Sequence, residues 1–118
     1  MNDTDALGEL RDQLRGFAEE RDWRQFHAPK NLASALSVEA AELLEHFQWL
    51  GEEASRCLTA KQLAPVREEI ADVLIYLIRL ADELGIDLAQ AARDKIEINA
   101  RKYPVEKSRG SIRKYTDL

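Results

Sequence analysis

From Val73 to Ile78 the chain reads Val-Leu-Ile-Tyr-Leu-Ile, six apolar or aromatic residues in succession. The surrounding stretch, from Pro65 to Leu84-Gly85, has the composition of a helix. At about 100° per residue, six such positions cover nearly every direction around a helix axis. A helix that is apolar all round has to be buried all round. The chain has 118 residues, one domain's worth. It can bury roughly two-thirds of its unfolded surface around a single core. One small bundle of four helices cannot cover one of its own members on every side. A second subunit is therefore expected over this helix, which predicts a homo-oligomer with a dimer as the minimum. The run is far short of the roughly 20 residues that a membrane span requires.

Three further segments carry helical periodicity. Leu7, Leu10, Leu14 and Phe17 predict a first helix over Thr4–Asp22, capped by Asp3 or Thr4. Pro29 biases Ala28 away from helix, and Asn31 is a candidate N-cap for a second helix running to Leu50 and stopped at Gly51. Its apolar positions include Leu32, Leu36, Leu43 and Phe47. Residues 51–64 read as a connector, part of which could be a short helix. Pro65 then suits the first turn of the third helix. Asp87 can cap a fourth helix, which ends at Tyr103 before Pro104. Residues 105–118 show no amphipathic period. The expected fold is all-α, a four-helix bundle protomer over residues 1–104 followed by a basic tail, 105–118.

Charge is unevenly spread. Residues 1–92 hold 9 Lys and Arg against 18 Asp and Glu, whereas residues 93–118 hold 8 against 4. The acidic body argues against binding a nucleic-acid polymer. The single Cys57 excludes an internal disulfide framework and a multi-cysteine zinc site. The first ten residues are acidic and lack the apolar core of a signal peptide, so a reducing, cytoplasmic setting is expected.

Glu39 and Glu42 on the second helix are three residues apart, as are Glu69 and Asp72 on the third. That spacing puts each pair on one face, a turn apart. Glu69, Asp72 and Tyr76 share a sector that flanks the apolar stripe of Val66, Ile70, Val73 and Leu77. If the two helices are antiparallel neighbours, four carboxylates converge. Uncompensated, they repel strongly, so they either face solvent or hold a cation. Oxygen-only ligation suits a hard ion such as Mg²⁺. A di-iron carboxylate bundle would use Glu-x-x-His on two helices. Here His46 follows Glu42 by four residues, and the third helix has no histidine.

Trp23, Phe26, His27 and Trp49 lie near helix ends. They either pack the ends of the bundle or form a stacking pocket for a planar base, with His27 or a backbone group reading its edge. Lys95, Asn99 and Lys102 share one face of the fourth helix. That face is either solvated or suited to a polyphosphate, with Tyr103 adding a hydroxyl.

These pieces coincide in one family. Glu39-x-x-Glu42 followed by Glu69-x-x-Asp72 resembles the all-α nucleoside triphosphate pyrophosphohydrolases, the MazG-like superfamily. The segments Phe17-Ala-Glu-Glu-Arg-Asp-Trp23, Gln25-Phe-His27, Pro29-Lys-Asn-Leu32 and Phe47-Gln-Trp49 are most similar to its dCTP pyrophosphatases. So are Lys95-Ile-Glu-Ile-Asn99, Arg101-Lys-Tyr-Pro104 and Ser111-Ile-Arg-Lys-Tyr-Thr116. The resemblance covers the chain from about residue 10 onward. It implies a helical homodimer or homotetramer that hydrolyses a nucleoside triphosphate to monophosphate and diphosphate. The substrate implied is dCTP or 5-modified dCTP, removed in nucleotide-pool cleansing. It further implies Mg²⁺, with Mn²⁺ as a substitute, on Glu39, Glu42, Glu69 and Asp72, and Glu39 or Glu42 as the base that activates water. Trp23, His27, Trp49 and Tyr76 fall on the base pocket, and Lys95, Asn99, Lys102 and Tyr103 on the phosphate-side helix. Two alternatives stand beside this reading. One is a related pyrophosphohydrolase for dUTP or a damaged purine triphosphate. The other is a helical dimerisation module without catalysis.

Overall fold

Why the chain turns where it does is clearest at the end of the first helix. In the computed structural model, which describes residues 5–118, α1 (Ala6–Glu20) stops short of the expected Asp22. Asp22 takes a left-handed backbone, φ 54°, which Asp tolerates better than most residues. The amide of Trp23 then donates back to the Ala18 carbonyl at 2.9 Å, and that of Asp22 to Glu19 at 3.1 Å. This is a Schellman stop built on Asp instead of Gly. The expected start at Thr4, and its capping by Asp3 or Thr4, lie outside the described residues; Asp5 occupies the N-cap without a side-chain hydrogen bond.

A 3₁₀ turn, Arg24–Phe26, leads into α2 (Pro29–Glu45). This helix begins two residues before the expected cap. Ala28 is extended and Pro29 takes the first helical position, where its missing N–H costs nothing. Asn31, expected as the cap, lies inside the helix and donates its side-chain amide to the Phe26 carbonyl at 3.2 Å. α2 also ends earlier than Leu50, with residues 46–50 in turns. Gly51 is extended at φ −74°, so it is the N-cap of a short α3 (Glu52–Arg56) and not a left-handed stop.

α4 (Ala60–Glu83) starts five residues before Pro65. A capping box explains this: Thr59 Oγ1 accepts from the Gln62 amide, and the Gln62 side chain accepts from the Thr59 amide. Pro65 is therefore an interior proline near the N-terminal end. The other end agrees with expectation, with Gly85 left-handed at φ 68° and the Ile86 amide bonded to Ala81 at 2.8 Å. α5 (Leu88–Lys102) is capped by Asp87 as the sequence indicates. The last segment holds a four-residue α6 (Val105–Ser108) and a 3₁₀ turn, Tyr115–Asp117. No strand occurs among the described residues.

The contacts divide the chain into two compact units, Met1–Ile86 and Asp87–Leu118. In the first, α4 packs mainly on α2 and less on α1. Its buried apolar side chains are Ala18, Leu32, Val66, Ile78 and Ala81. The uniformly apolar stretch of α4 is only partly covered. Leu74, Ile75 and Leu77 remain 37%, 39% and 37% exposed. Leu10, Leu14, Phe17, Leu74, Ile75 and Ile78 line an open apolar groove of about 300 Å³ between α1 and α4. In the second unit, α5 is exposed from Gln90 to Arg101. The tail folds back on the end of α5, where Tyr115 packs edge-on against Tyr103 with centroids 6.0 Å apart.

Candidate functional site

Glu39 from α2 meets Glu69 and Asp72 from α4, each offering an oxygen within 4.8 Å of the others. His27, just before α2, meets Arg79 on α4. Moving forward along α2 therefore means moving backward along α4, so the two helices are antiparallel, as convergence of the acidic pairs requires. Glu42 lies outside the triad but shares a side-chain hydrogen bond with Glu39.

The cluster carries a clear electrostatic signature. Burial first, then the hydrogen bond and charge of Glu42, then the charges of Asp72 and Glu69 push the Glu39 carboxyl up to about 7. Oε2 of Glu39 and Oε2 of Glu69 are closed to solvent and accept no hydrogen bond. A buried carboxylate oxygen without a donor is costly. A divalent cation would relieve both the repulsion and the unmet oxygens, and an all-oxygen donor set suits a hard one. The residues present thus fit a divalent metal. His46, the C-cap of α2, is half-buried and not part of this cluster.

Tyr76 lies one turn beyond Asp72 on α4 and is half-buried. Arg79 and Glu83 continue the same stripe, since positions 69, 72, 76, 79 and 83 repeat at helical spacing. Arg79 is 3% exposed. It donates through Nη1 to Asp82 at 2.9 Å, through Nη2 to Glu83 at 2.6 Å and through Nε to His27 Nδ1 at 3.4 Å. Arg15 of α1 clasps Asp82 with two bonds, and Arg24 reaches Glu83 at 3.2 Å. The hydrogen bond from Arg15 holds Asp82 below the usual carboxylate range. Burial opposes ionisation of Glu83, but its bonds from Arg79 and Arg24 overcome that and hold it low as well. Burial, then the Arg79 charge, lowers His27.

The aromatic candidates are dispersed. Trp23 packs edge-on against Phe17 with centroids 5.6 Å apart. Trp49 is 87% exposed. The two sit before and after α2, a helix of 17 residues, or about 25 Å. In the second unit, Lys95 and Asn99 are exposed and Lys102 is half-buried. The Lys102 ammonium sits 4.7 Å from the Tyr115 ring centre. Lys102 and Tyr103 thus both contact the tail's tyrosine.

A model of the MazG-like family matches residues 34–118. The chain belongs to the MazG-like family. Relatives named dCTP pyrophosphatase 1 are 47% identical in Mus musculus and 46% in Homo sapiens, over 115 residues. Each alignment spans 96% of this chain and 68% of the relative. The crystal structure of a pyrophosphatase from Archaeoglobus fulgidus is 47% identical, covering 82% of this chain and 91% of that one with a TM-score of 0.78. Identity of this order across nearly the whole chain makes this MazG-like protein a hydrolase and removes the non-catalytic module from the alternatives.

Sequence reasoning about this MazG-like chain missed the Arg79 network. The signal was present, because Asp82 and Glu83 follow Arg79 at three and four residues, the spacing of a helical ion pair. What the spacing does not reveal is that the pair is buried and joined by Arg15, Arg24 and His27 from other segments.

Proposed function

We propose that this hydrolase is a Mg²⁺-dependent nucleoside triphosphate pyrophosphohydrolase that converts a deoxynucleoside triphosphate to the monophosphate and diphosphate. dCTP and 5-modified dCTP are its preferred substrates. The carrying observation is the Glu39–Glu69–Asp72 triad, with two buried oxygens that lack partners. The names of the relatives support the substrate class.

In this reading Glu39, Glu42, Glu69 and Asp72 hold the metal. When bound, Mg²⁺ supplies positive charge that offsets the triphosphate and orients its oxygens. Glu39 or Glu42 accepts a proton from water at a carboxylate oxygen. The water oxygen bonds to the α-phosphorus as the bond to the α–β bridging oxygen breaks, and diphosphate leaves. Lys95, Asn99, Lys102 and Tyr103 donate to phosphate oxygens. Trp23, Trp49 and Tyr76 wall the base, with His27 at its edge. Trp23 and Trp49 lie at opposite ends of α2, so a pocket using both draws them from two copies of the chain. Half-exposed Leu74, Ile75 and Leu77 and the uncovered α5 support such a homodimer or homotetramer, and its setting is the cytoplasm.

The test is release of diphosphate from a panel of nucleotides with and without Mg²⁺. Mg²⁺-dependent release, fastest with dCTP and 5-methyl-dCTP, is expected. Fastest turnover of dUTP or an oxidised purine triphosphate would move the substrate assignment. Unchanged turnover in both Glu39→Gln and Asp72→Asn would remove the metal-site assignment.

A further inference from the structure

We propose that Arg79 is a positioning residue that fixes the tautomer of His27 and thereby the base preference of the site. This rests on the reading above, in which His27 faces the base edge.

An arginine side chain has only donors. A neutral imidazole has one N–H and one lone pair. Arg79 Nε lies 3.4 Å from His27 Nδ1, so Nδ1 has to be the acceptor and the ring proton has to sit on Nε2. The guanidinium has little freedom to do otherwise. It is 3% exposed, and its other two nitrogens are held by Asp82 and Glu83. Those carboxylates are in turn held by Arg15 and Arg24, from α1 and the 3₁₀ turn. Three segments therefore converge to orient one N–H. Burial and the neighbouring Arg79 charge also lower the His27 pKa, keeping the ring neutral.

A locked Nε2–H is a donor only. Directed at N3, such a donor separates the two bases: cytosine N3 accepts it, whereas O2 accepts it in cytosine and uracil alike. In uracil N3 carries a proton and repels it. A ring free to exchange tautomers could instead present a lone pair to that proton. Fixing the proton on Nε2 therefore favours cytosine over uracil without any contact between Arg79 and the nucleotide.

Arg79→Lys separates this role from a merely structural one. It keeps a positive charge for Asp82 and Glu83 but removes the Nε–H that meets His27. The expected result is a dCTP over dUTP preference in kcat/KM reduced ~3- to 10-fold, the worth of one net hydrogen bond. The loss should appear mainly in KM, and it should vanish when Arg79→Lys is added to His27→Ala. Long-range ¹H–¹⁵N spectra of the free wild-type protein should show His27 protonated at Nε2 alone, a readout that needs neither variant to fold. Protonation at Nδ1, or an equal effect of Arg79→Lys with and without His27, overturns the proposal. An unchanged nucleotide preference in His27→Ala overturns the placing of His27 at the base. In that case the Nε2-only spectrum would still stand.

Discussion

Replacing Glu39 with glutamine should stabilise the metal-free protein while abolishing its use of metal. Three carboxylates lie within 4.8 Å of one another. A pair at that separation repels by about 3 kcal/mol at an effective dielectric of about 20, and Glu39 belongs to two of the three pairs. Proton uptake caps what the fold has to bear. A rise from 4.5 to about 7, at about 1.36 kcal/mol per unit, limits the cost to about 3 kcal/mol. Glu39 is only half-buried, and solvent screening reduces this to about 1–2 kcal/mol. The sign follows from linkage. The folded pKa lies above the unfolded one, so the cost is absent below pH 4.5, grows as pH rises from 4.5 to about 7, and is full above that.

Thermal unfolding in EDTA at pH 8 should therefore place Glu39→Gln roughly 5–10 °C above wild type. The gap should close at pH 4.5, where wild-type Glu39 is already protonated. Saturating Mg²⁺ should reverse the order. A ligand at 100 times its Kd adds about 2.7 kcal/mol to a protein that binds it, and the variant lacks a ligand oxygen. The observable is a crossing of two melting temperatures with pH and metal. If Glu39→Gln is no more stable than wild type in EDTA at pH 8, and Mg²⁺ shifts both equally, the cluster is a solvated acidic patch and the reasoning fails.

Four further outcomes follow from the structure. Arg79→Ala leaves Asp82 and Glu83 without their buried partner and should cost about 3 kcal/mol in denaturant unfolding. Asp82 and Glu83 are held below their ordinary values of 3.8 and 4.5. Their stabilisation is complete above the ordinary values and should be lost as pH falls through the lowered ones, a loss that Asp82→Asn should blunt in acid titrations followed by circular dichroism. Trp49 is 87% exposed, so Trp49→Ala should change stability by less than about 0.5 kcal/mol yet raise KM for dCTP ~10-fold, the worth of one stacked base; an unchanged KM would take it out of the pocket. Ile75→Asp, in the apolar groove between α1 and α4, should shift sedimentation toward monomer without unfolding α4.

Much of this fold is written in local rules. Asp87 and Gly85 mark helix ends where the sequence places them, because a side-chain cap and a left-handed glycine act within one turn. The boundaries that moved did so through equally local devices competing with those rules. Pro29 took the first helical position ahead of Asn31, and the Thr59–Gln62 capping box started α4 before Pro65 could. Asp22 adopted the left-handed conformation usually left to glycine. Gly51 departs from expectation for a related reason, since a glycine beside two helices can end one or begin the next.

The site divides along the same line. Two pairs at a spacing of three residues declare a shared face, and antiparallel packing of α2 on α4 is all that is needed to bring Glu39 to Glu69 and Asp72. Each candidate in the acidic cluster could therefore be named from spacing. The Arg79 network could not, because three of its partners, Arg15, Arg24 and His27, come from α1, the 3₁₀ turn and the link between that turn and α2, and no spacing encodes that meeting. The stripe of Glu69, Asp72, Tyr76, Arg79 and Glu83 shows why the two clusters belong together. Along α4, this polar stripe runs from unneutralised carboxylates at one end to a fully paired ion network at the other. The paired end keeps its own partners and orients His27; the unpaired end has oxygens to give away. A cation is drawn to the second and gains nothing from the first.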